Sequence, residues 1–293
     1  MKDLQHISFD RSKNPGIEFD LFPLERILSY KDLDHNPANP HRVDFYVMLF
    51  ITEGTGKHTI DFIDHPCQKG SVVTVRKNQI HQFHSSGIQG YLLIFTEEFM
   101  VSYLEKEEAN KIVKVFNELL NPQATVLSAI QYSELHTLIL QMQHEFSHAI
   151  DEHSSSIIRN LLQAFMSKLY RIRMNETKDR NDHKYMHQFL RFQELVEEKC
   201  MQQRSVAYYA GQLNVTPRTL NNITRNIIEK SSKSFIDEVL TLQIKRKLIN
   251  TNLTIKEIAY QSGFDEPTNL FKFFRKFTGQ TPESFRSSYT TLN

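Results

Sequence analysis

The sequence predicts an α+β protein of two domains, with an N-terminal domain rich in antiparallel strands and a C-terminal domain that is all-α. Three observations support this fold class. Short β-branched and aromatic runs, separated by turn signals, fill the first third of the chain. Helical periodicity replaces them from about Glu97. The last third contains an internal repeat of helical type, and 293 residues are enough for two domains that each bury a core.

The β-rich region covers the first 96 residues. Its predicted strands are Val43–Ile51, Thr59–Ile63, Val72–Val75 and Tyr91–Phe95. Its turn signals are Glu53–Gly56, Asp64–Pro66 and Ser85–Gly87. Several short strands at this spacing are typical of an antiparallel sandwich or barrel.

The next segment, residues 97–174, is predicted to be helical because its apolar residues recur every three or four positions. The helical stripes are Ile112/Val115/Phe116/Leu119, Leu135/Leu138/Ile139/Met142/Phe146, and Ile157/Leu161/Phe165/Leu169 widened by Ile158/Leu162/Met166. The last stripe is wide enough to suggest an antiparallel helix pair that packs on a second subunit. The alternative is that these helices pack only on their own domain. A polar stretch at 175–185 predicts a linker, and residues 186–293 form the second predicted domain.

Composition excludes several classes of protein. The longest unbroken apolar run is Phe45–Ile51, much shorter than a membrane span, and the first residues lack the apolar centre of a signal peptide. Two isolated cysteines, Cys67 and Cys200, give no disulfide framework. We therefore expect a cytoplasmic protein without a membrane partner.

The net charge of +1 conceals an uneven distribution. Residues 184–293 contain 16 Lys and Arg against 10 Asp and Glu, a net charge of +6, so the remainder has a net charge of −5. A basic half joined to an acidic half suggests that the basic half contacts nucleic acid. Chance sampling is the alternative on charge alone.

The basic half contains two copies of one motif. Ser205–Thr216 aligns with Thr254–Asp265 at an offset of 49 residues, and one inserted residue then makes the offset 50, which pairs Leu220 with Leu270. Each copy has the pattern helix, tight turn, helix. Asn214 and Gly263 occupy the turns and are residue types that tolerate a left-handed backbone. Thr216 and Asp265 are predicted to cap the second helices, and Pro217 suits a first helical position.

This pattern is that of the helix-turn-helix, in which the second helix enters the major groove of DNA. Paired short helices also occur in structural bundles, so a scaffold that binds protein rather than DNA is one alternative. The two copies inside a basic half favour double-stranded DNA as the partner.

The segment from about Phe189 to Tyr289 resembles the double helix-turn-helix domain of the AraC/XylS family of transcriptional regulators. The resemblance lies in IKEIAYQSGF (Ile255–Phe264) and LFKFFRKFTGQTPESFR (Leu270–Arg286). His41–Phe62 and Gln79–Phe83 resemble the family's effector domain, which implies a cupin-like β-barrel followed by a helical dimerisation segment. The first copy departs from the family pattern at Thr224, where a larger apolar residue is usual, at Lys245 in place of alanine, and in EKSS (Glu229–Ser232), which lacks a glycine.

The candidate DNA contacts lie between the buried positions of each second helix. Arginine and lysine suit the acceptors of guanine, and asparagine can bond to adenine. The positions that match the family's base contacts are Arg218, Asn221, Asn222, Thr268, Asn269 and Lys272. The candidates for phosphate contact are Thr216, Lys245, Arg246, Arg275 and Lys276. Arg286 is predicted to tie the last helix to the domain, and the helical spacing of Phe271–Phe277 indicates core packing rather than base stacking.

The acidic half is predicted to bind a small-molecule effector inside the barrel. The candidate pocket residues are His41, Tyr46, His81 and Phe83. A metal-dependent cupin enzyme with an appended helix-turn-helix tail is the alternative. The histidines His41, His58, His81 and His84 lack the His-x-His spacing of such enzymes, and Val43 stands where a second ligand is needed, so no metal, cofactor or catalytic residue is expected. The resemblance implies a bacterial regulator that is a homodimer and contacts RNA polymerase.

Overall fold

The computed structural model describes residues 5–10, 17–28, 36–84, 87–116, 124–147, 151–176 and 183–290. The chain divides into two compact units, an N-terminal unit over Gln5–Thr177 and a C-terminal unit that contains Lys178–Asn293. The N-terminal unit is rich in β-sheet and the C-terminal unit is helical, as the α+β fold class predicts.

Ten strands of the N-terminal unit form two five-stranded sheets within the described ranges. The strands are β1 (Gln5–Ile7), β2 (Phe19–Pro23), β3 (His41–Val43), β4 (Tyr46–Glu53), β5 (Thr55–Ile60), β6 (Ile63–Gln68), β7 (Ser71–Val75), β8 (Ile80–Phe83), β9 (Gln89–Phe95) and β10 (Ala124–Val126). Sheet A has the order β1-β3-β8-β5-β6, and sheet B has the order β10-β7-β4-β9-β2. All pairs are antiparallel except β1 with β3, which are parallel, so the expectation of a purely antiparallel domain is wrong at this edge.

The remaining elements of this unit are helical. They are α1 (Leu24–Leu28), α2 (Glu97–Val101), α3 (Lys106–Val113), a 3₁₀ turn (Lys114–Phe116), α4 (Ala129–Ser147) and α5 (Ser154–Glu176). Strand β10 lies inside the segment that periodicity predicts to be helical. It is short and pairs with β7 at the edge of sheet B.

Strand β4 explains the longest apolar run of the sequence. Its residues alternate between two cores, because successive side chains of a strand point to opposite faces. Tyr46, Met48 and Phe50 belong to the core between sheet B and the helices. Val47 and Leu49 belong to the second core, which contains residues from both sheets. Sheet B is therefore buried on both faces, which removes the polar alternation expected of a half-exposed strand.

A two-residue hairpin turn at Asp61 and Phe62 makes two predictions about strand and turn boundaries wrong. The predicted strand Thr59–Ile63 contains a hairpin turn, in which Asp61 and Phe62 have left-handed φ angles of 45° and 71°. Ile60 and Ile63 pair across this two-residue turn, and the predicted turn at Asp64–Pro66 is instead part of β6. Proline is tolerated there because β6 is an edge strand of sheet A. The predicted turn at Glu53–Gly56 is confirmed, with Gly54 at φ 82° between β4 and β5.

Helices α4 and α5 bury most of their predicted stripes within their own unit, although Ile157 at the start of the α5 stripe is exposed. Leu135, Ile139 and Met142 of α4 lie in the same core as Leu162 and Phe165 of α5. That core also contains the helix-facing side chains of sheet B. The wide stripe of α5 is thus covered by two neighbours, α4 and sheet B, so it does not require a second subunit. Leu119 of the first stripe lies outside the described residues.

The C-terminal unit consists of seven described helices. They are α6 (His183–Lys199), α7 (Val206–Gln212), α8 (Pro217–Ile228), α9 (Ser232–Asn250), α10 (Ile255–Gln261), α11 (Pro267–Thr278) and α12 (Pro282–Thr290). Phe192 of α6 contacts Tyr209 of α7 and Phe235 of α9, with ring centres 5.6 and 5.4 Å apart. Of the predicted linker 175–185, residues 177–182 lie outside the described ranges, α5 extends to Glu176, and α6 begins at His183. Within the described ranges, no helix combines the length and apolar character that crossing a bilayer requires.

Candidate nucleic-acid interface and effector cavity

The first helix-turn-helix unit comprises α7, α8 and the turn between them. Asn214 has the left-handed φ that its position predicts, 53°. Thr216 caps α8 as expected, since its hydroxyl accepts a hydrogen bond from the Thr219 amide at 3.1 Å, and Pro217 follows in the first turn. Buried Leu220 and Ile223 hold α8 against the rest of the unit. The local sequence therefore specifies both the turn and the start of the second helix.

The second unit comprises α10, α11 and the turn at Gly263, where φ is 68°. α10 begins with a capping box in which Thr254 and Glu257 exchange side-chain and backbone hydrogen bonds. The predicted cap of α11 is wrong, because the N-cap residue is Glu266 rather than Asp265, and its side chain makes no capping hydrogen bond. Pro267 begins the helix, which places the cap one residue later than the sequence alignment suggests.

The two recognition helices are equivalent residue for residue at an offset of 50. Both contain 12 residues, and both have proline in the first turn. Both end at a residue with a left-handed backbone, Glu229 at φ 58° and Gly279 at φ 77°. The glycine that the first copy lacks is therefore replaced by a glutamate in the same conformation, and the course of the backbone is kept.

Five of the six candidate base contacts are exposed on the outer surface of these helices. They are Arg218, Asn222, Thr268, Asn269 and Lys272. Asn221 differs from the sequence expectation, because it is only half-exposed and its Oδ1 accepts a hydrogen bond from the Ser232 amide at 3.1 Å. This bond engages Asn221 at the start of α9, where the buried hydroxyls of Thr224 and Ser232 also lie 3.0 Å apart. The three polar residues occupy the region where the family pattern has a larger apolar side chain.

The candidate phosphate contacts are not equally accessible. Thr216, Arg275 and Lys276 are exposed, whereas Lys245 is half-buried with its Nζ 5.5 Å from the centre of the Phe285 ring. Arg246 is only 8% exposed, so the expectation that it faces DNA is wrong. Arg246 lies on α9 between the buried residues Ile244 and Leu248.

Arg225 is a candidate that the sequence analysis missed. It lies on α8 seven residues after Arg218, is exposed, and is the offset-50 equivalent of Arg275. Residues 218, 222 and 225 share one helical face, as do 268, 272 and 275. Carrying the repeat alignment along the whole of both helices would have found it.

Arg286 has the structural role that the sequence predicts. Its Nε donates to the Leu248 carbonyl at 2.9 Å, and Nη2 donates to the Leu253 carbonyl at 2.7 Å. These bonds hold α12 against the end of α9.

The N-terminal unit contains a cavity of about 360 Å³ bounded by residues of both sheets and of α1. Three of the four predicted pocket residues line it, namely His41, His81 and Phe83. Tyr46 does not, because it lies on the opposite face of sheet B, where its hydroxyl donates to Glu97 Oε2 at 3.2 Å. Further lining residues are His6, Phe9, Asp10, Asp20, Phe22, Arg26, Ile27, Val43, Phe45, Val47, Leu92 and Ile94. No sequence spacing links them, because the strands that bring them together are far apart in the chain.

The histidines at this cavity form a chain of ring contacts. His41 Nδ1 lies 2.9 Å from the Asn39 carbonyl oxygen, which can only accept, so Nδ1 carries a proton. The His41 and His81 ring centres are 4.2 Å apart, and His58 Nε2 lies 3.2 Å from His81 Nδ1. Burial, and then the neighbouring His41, lower the pKa of His58 to about 3, so this ring is neutral at pH 7. In the part of the chain that the structure describes, no three His, Cys, Asp or Glu side chains are arranged to hold a metal ion.

The two units thus define a class: a DNA-binding regulator with a ligand-binding domain. Comparison with known proteins agrees, since residues 209–288 match the family model described as "Helix-turn-helix domain" and residues 25–162 match "AraC-like ligand binding domain". The chain belongs to the AraC/XylS family of transcriptional regulators. Its C-terminal unit is thus a DNA-binding domain of this family, and its N-terminal unit contains the family's ligand-binding domain.

Individual relatives are distant. The chain is 19% identical over 257 residues to the HTH-type transcriptional activator RhaS of Citrobacter koseri, covering 86% of this chain and 88% of that protein. It is 33% identical over 92 residues to the HTH-type transcriptional regulator GlxA of Rhizobium meliloti, covering 30% and 26%. Among solved structures, ToxT from Vibrio cholerae O395 is 14% identical with a TM-score of 0.43, covering 94% of this chain and 95% of that chain.

Proposed function

We propose that this chain is a cytoplasmic, dimeric regulator that reads an asymmetric DNA site with both α8 and α11. The observation that supports this most directly is the equivalence of the two recognition helices, each with exposed hydrogen-bonding side chains near its N-terminal end. Such helices place their N-terminal residues against base edges, and two of them on one chain suit successive major grooves, about 34 Å apart on one face of DNA. Promoter-bound dimers would then contact RNA polymerase.

Selection of duplexes from a randomised library by the full chain tests this proposal. Arg218→Ala and Lys272→Ala should each weaken binding to the selected duplex by about 5- to 100-fold and relax preference at one base position. Arg191→Ala is a matched control, because Arg191 is an exposed arginine on α6 that pairs with Glu194 at 2.9 Å. Unchanged affinity and base preference in both variants would contradict the assignment.

The proposed dimer uses the outward faces of α4 and α5. Their inner faces are covered by their own unit, but Ile130 is 75% exposed, Leu140 44% and Ile157 40%. A double variant, Leu140→Glu with Ile157→Glu, should sediment as a monomer, whereas Ile63→Glu should not, although Ile63 on β6 is an even more exposed apolar residue at 62%. A wild-type chain that sediments as a monomer at micromolar concentration would exclude the dimer.

The effector is proposed to bind in the cavity of the N-terminal unit, in a cupin-like arrangement of the two sheets. Its lining combines four phenylalanines with hydrogen-bonding side chains, as small-molecule sites commonly do. Strands of sheet B present alternate residues to the cavity and to the helical side, where α5 runs to Glu176 and so into the predicted linker. In this proposal, occupation of the cavity shifts the arrangement of the two units across residues 175–185.

Filling the cavity tests the effector site. The assay is a reporter gene placed under the selected DNA site, and its readout is the change in expression between growth conditions. Val47→Phe adds volume to a lining residue of the cavity, so the variant should lose the change in expression that the wild-type protein shows. Ile63→Phe, at an exposed position, should keep it. An unaltered response in Val47→Phe would place the effector elsewhere.

A further inference from the structure

The segment between α6 and α7 packs directly on the turn of the second helix-turn-helix unit. The guanidinium carbon of Arg204 lies 3.7 Å from the centre of the Phe264 ring, and Nη2 donates to the Ser262 carbonyl. The backbones also meet, since a Cβ atom on Gly263 would lie 2.7 Å from the Met201 carbonyl oxygen. Residues that precede the first unit are thus in contact with the turn of the second.

Arg204 lies between the core of the first unit and the recognition helix of the second. On one side, the Tyr209 hydroxyl donates to the Gln203 carbonyl at 2.7 Å, which fixes this segment to α7. On the other side, the Phe264 ring contacts Phe273 of α11, with ring centres 5.4 Å apart. Arg286, by comparison, joins α12 to the end of α9 and to the loop that follows it.

We propose that Arg204 is a positioning residue that holds α11 in fixed register with α8 and thereby sets the half-site spacing that this protein accepts. The proposal rests on the proposed reading of DNA by both helices. A guanidinium that stacks on an aromatic face and also donates a hydrogen bond fixes both distance and orientation, which a lysine ammonium cannot do. One added base pair shifts a half-site by about 3.4 Å and rotates it by about 35°, so a rigid pair of helices should discriminate strongly against it.

The first test uses the duplex that the wild-type chain selects, together with versions that have one base pair added or removed between the half-sites. Wild-type affinity should fall about tenfold or more on the altered spacings, because one helix loses its base contacts. We call the affinity at the selected spacing divided by the affinity at an altered spacing the spacing ratio. Arg204→Ala and Phe264→Leu should reduce the spacing ratio to about threefold or less. Arg218→Ala should also lower this ratio, because it removes a base contact of α8, but it should in addition relax the base preference at one position, which Arg204→Ala should leave unchanged. Arg191→Ala should alter neither the ratio nor the base preference.

The second test needs no DNA. Spin labels on Asn226→Cys and Lys276→Cys, equivalent exposed positions of α8 and α11, report the distance between the recognition helices. Labelling is selective because Cys67 and Cys200 are buried and burial raises the pKa of their thiols to about 11 and about 12. Labelled chain is diluted in unlabelled chain so that only distances within one chain contribute. The distribution should be narrow in the wild-type background, broad with Arg204→Ala, and intermediate with Arg204→Lys.

The outcomes separate this proposal from the one on which it rests. If no duplex is enriched, the DNA-reading proposal fails, while the spin-label distances still decide whether Arg204 holds the helices in register. If duplexes are enriched but Arg204→Ala keeps both the spacing ratio and the narrow distribution, the role of Arg204 is refuted. Should Arg204→Ala fail to fold, Arg204→Lys and Phe264→Leu give the same decision.

Discussion

Acidification should destabilise the N-terminal unit through His58. This ring is 1% exposed, and its pKa is lowered from 6.5 to about 3, so the folded protein resists protonation where the unfolded chain accepts it. Stability is therefore constant above about pH 6.5 and falls as the pH drops from there towards 3, because the unfolded state binds the extra proton. When the pH falls from 7 to 5, the last 1.5 units or so lie below the unfolded-state pKa of 6.5. Over that interval the unfolded chain is protonated at His58 and the folded protein is not, which corresponds to a loss of about 2 kcal/mol of stability from this residue.

The assay must separate the two units, since a protein of two domains need not unfold in one transition. Each unit contains one buried cysteine, Cys67 in β6 and Cys200 after α6. Labelling of each thiol during urea unfolding, resolved by mass spectrometry, reports its own unit. Carboxylates elsewhere also titrate, so the informative quantity is the pH dependence of wild type minus that of His58→Gln, which retains a hydrogen-bonding group beside His81.

The expected result is a smaller loss of stability in His58→Gln than in wild type between pH 7 and pH 5, by about 2 kcal/mol and only in the unit that contains Cys67. Equal losses in the two proteins would refute the argument that burial keeps this ring neutral. A change confined to the unit of Cys200 would refute it equally.

Five other substitutions have definite expected results. Arg225→Ala should weaken DNA binding to all duplexes alike and reduce the slope of log affinity against log salt by about 0.9, measured by anisotropy between about 50 and 200 mM salt. Glu229→Gly should stabilise the C-terminal unit by about 1 kcal/mol, because its left-handed backbone suits glycine, whereas Gly279→Ala should destabilise that unit by a similar amount in the urea assay. Gly263→Ala should cost about 2 kcal/mol or more, because φ is 68° and Cβ would collide with the Met201 carbonyl. Gly211→Ala should instead stabilise the unit by about 0.5 kcal/mol, because Gly211 lies in the last turn of α7 and an added Cβ meets no other atom.

The contrary results are equally definite. A salt slope for Arg225→Ala equal to that of the Arg191→Ala control would remove Arg225 from the interface. If Glu229→Gly and Gly279→Ala change stability in the same direction, backbone conformation does not determine stability at these helix ends. If Gly211→Ala and Gly263→Ala change stability equally, the left-handed backbone of the turn at Gly263 does not determine stability either.

The sequence predicts the C-terminal unit better than the N-terminal one, because its determinants are local. A cap at Thr216, a left-handed Asn214 and helical spacing are each written within a few residues. Burial of Arg246 was not predictable in this way, since it depends on how α9 packs within its unit.

The cavity shows the opposite situation. His41, His81 and Phe83 meet because β3 and β8 pair in sheet A, and the pairing of distant strands leaves no fixed spacing in the sequence. Tyr46 was predicted to line the cavity, but it lies on the face of β4 that packs against the helices, and its neighbour Val47 lines the cavity instead. Successive residues of a strand point to opposite faces, so an error of one residue moves a side chain to the wrong face. Asp20 and Arg26 were missed because β2 and α1 precede the first run that periodicity identifies as a strand.

The residue-for-residue equivalence of α8 and α11 has a consequence for engineering. Their common length, their proline in the first turn and their left-handed ends mean that outward side chains can be exchanged between them without changing either backbone. A chain with the Arg218, Thr219 and Asn222 side chains transplanted to positions 268, 269 and 272 would present the same set of candidate base contacts twice. Such a chain should prefer a tandem duplication of one half-site, so that the DNA specificity of each helix could be reprogrammed separately.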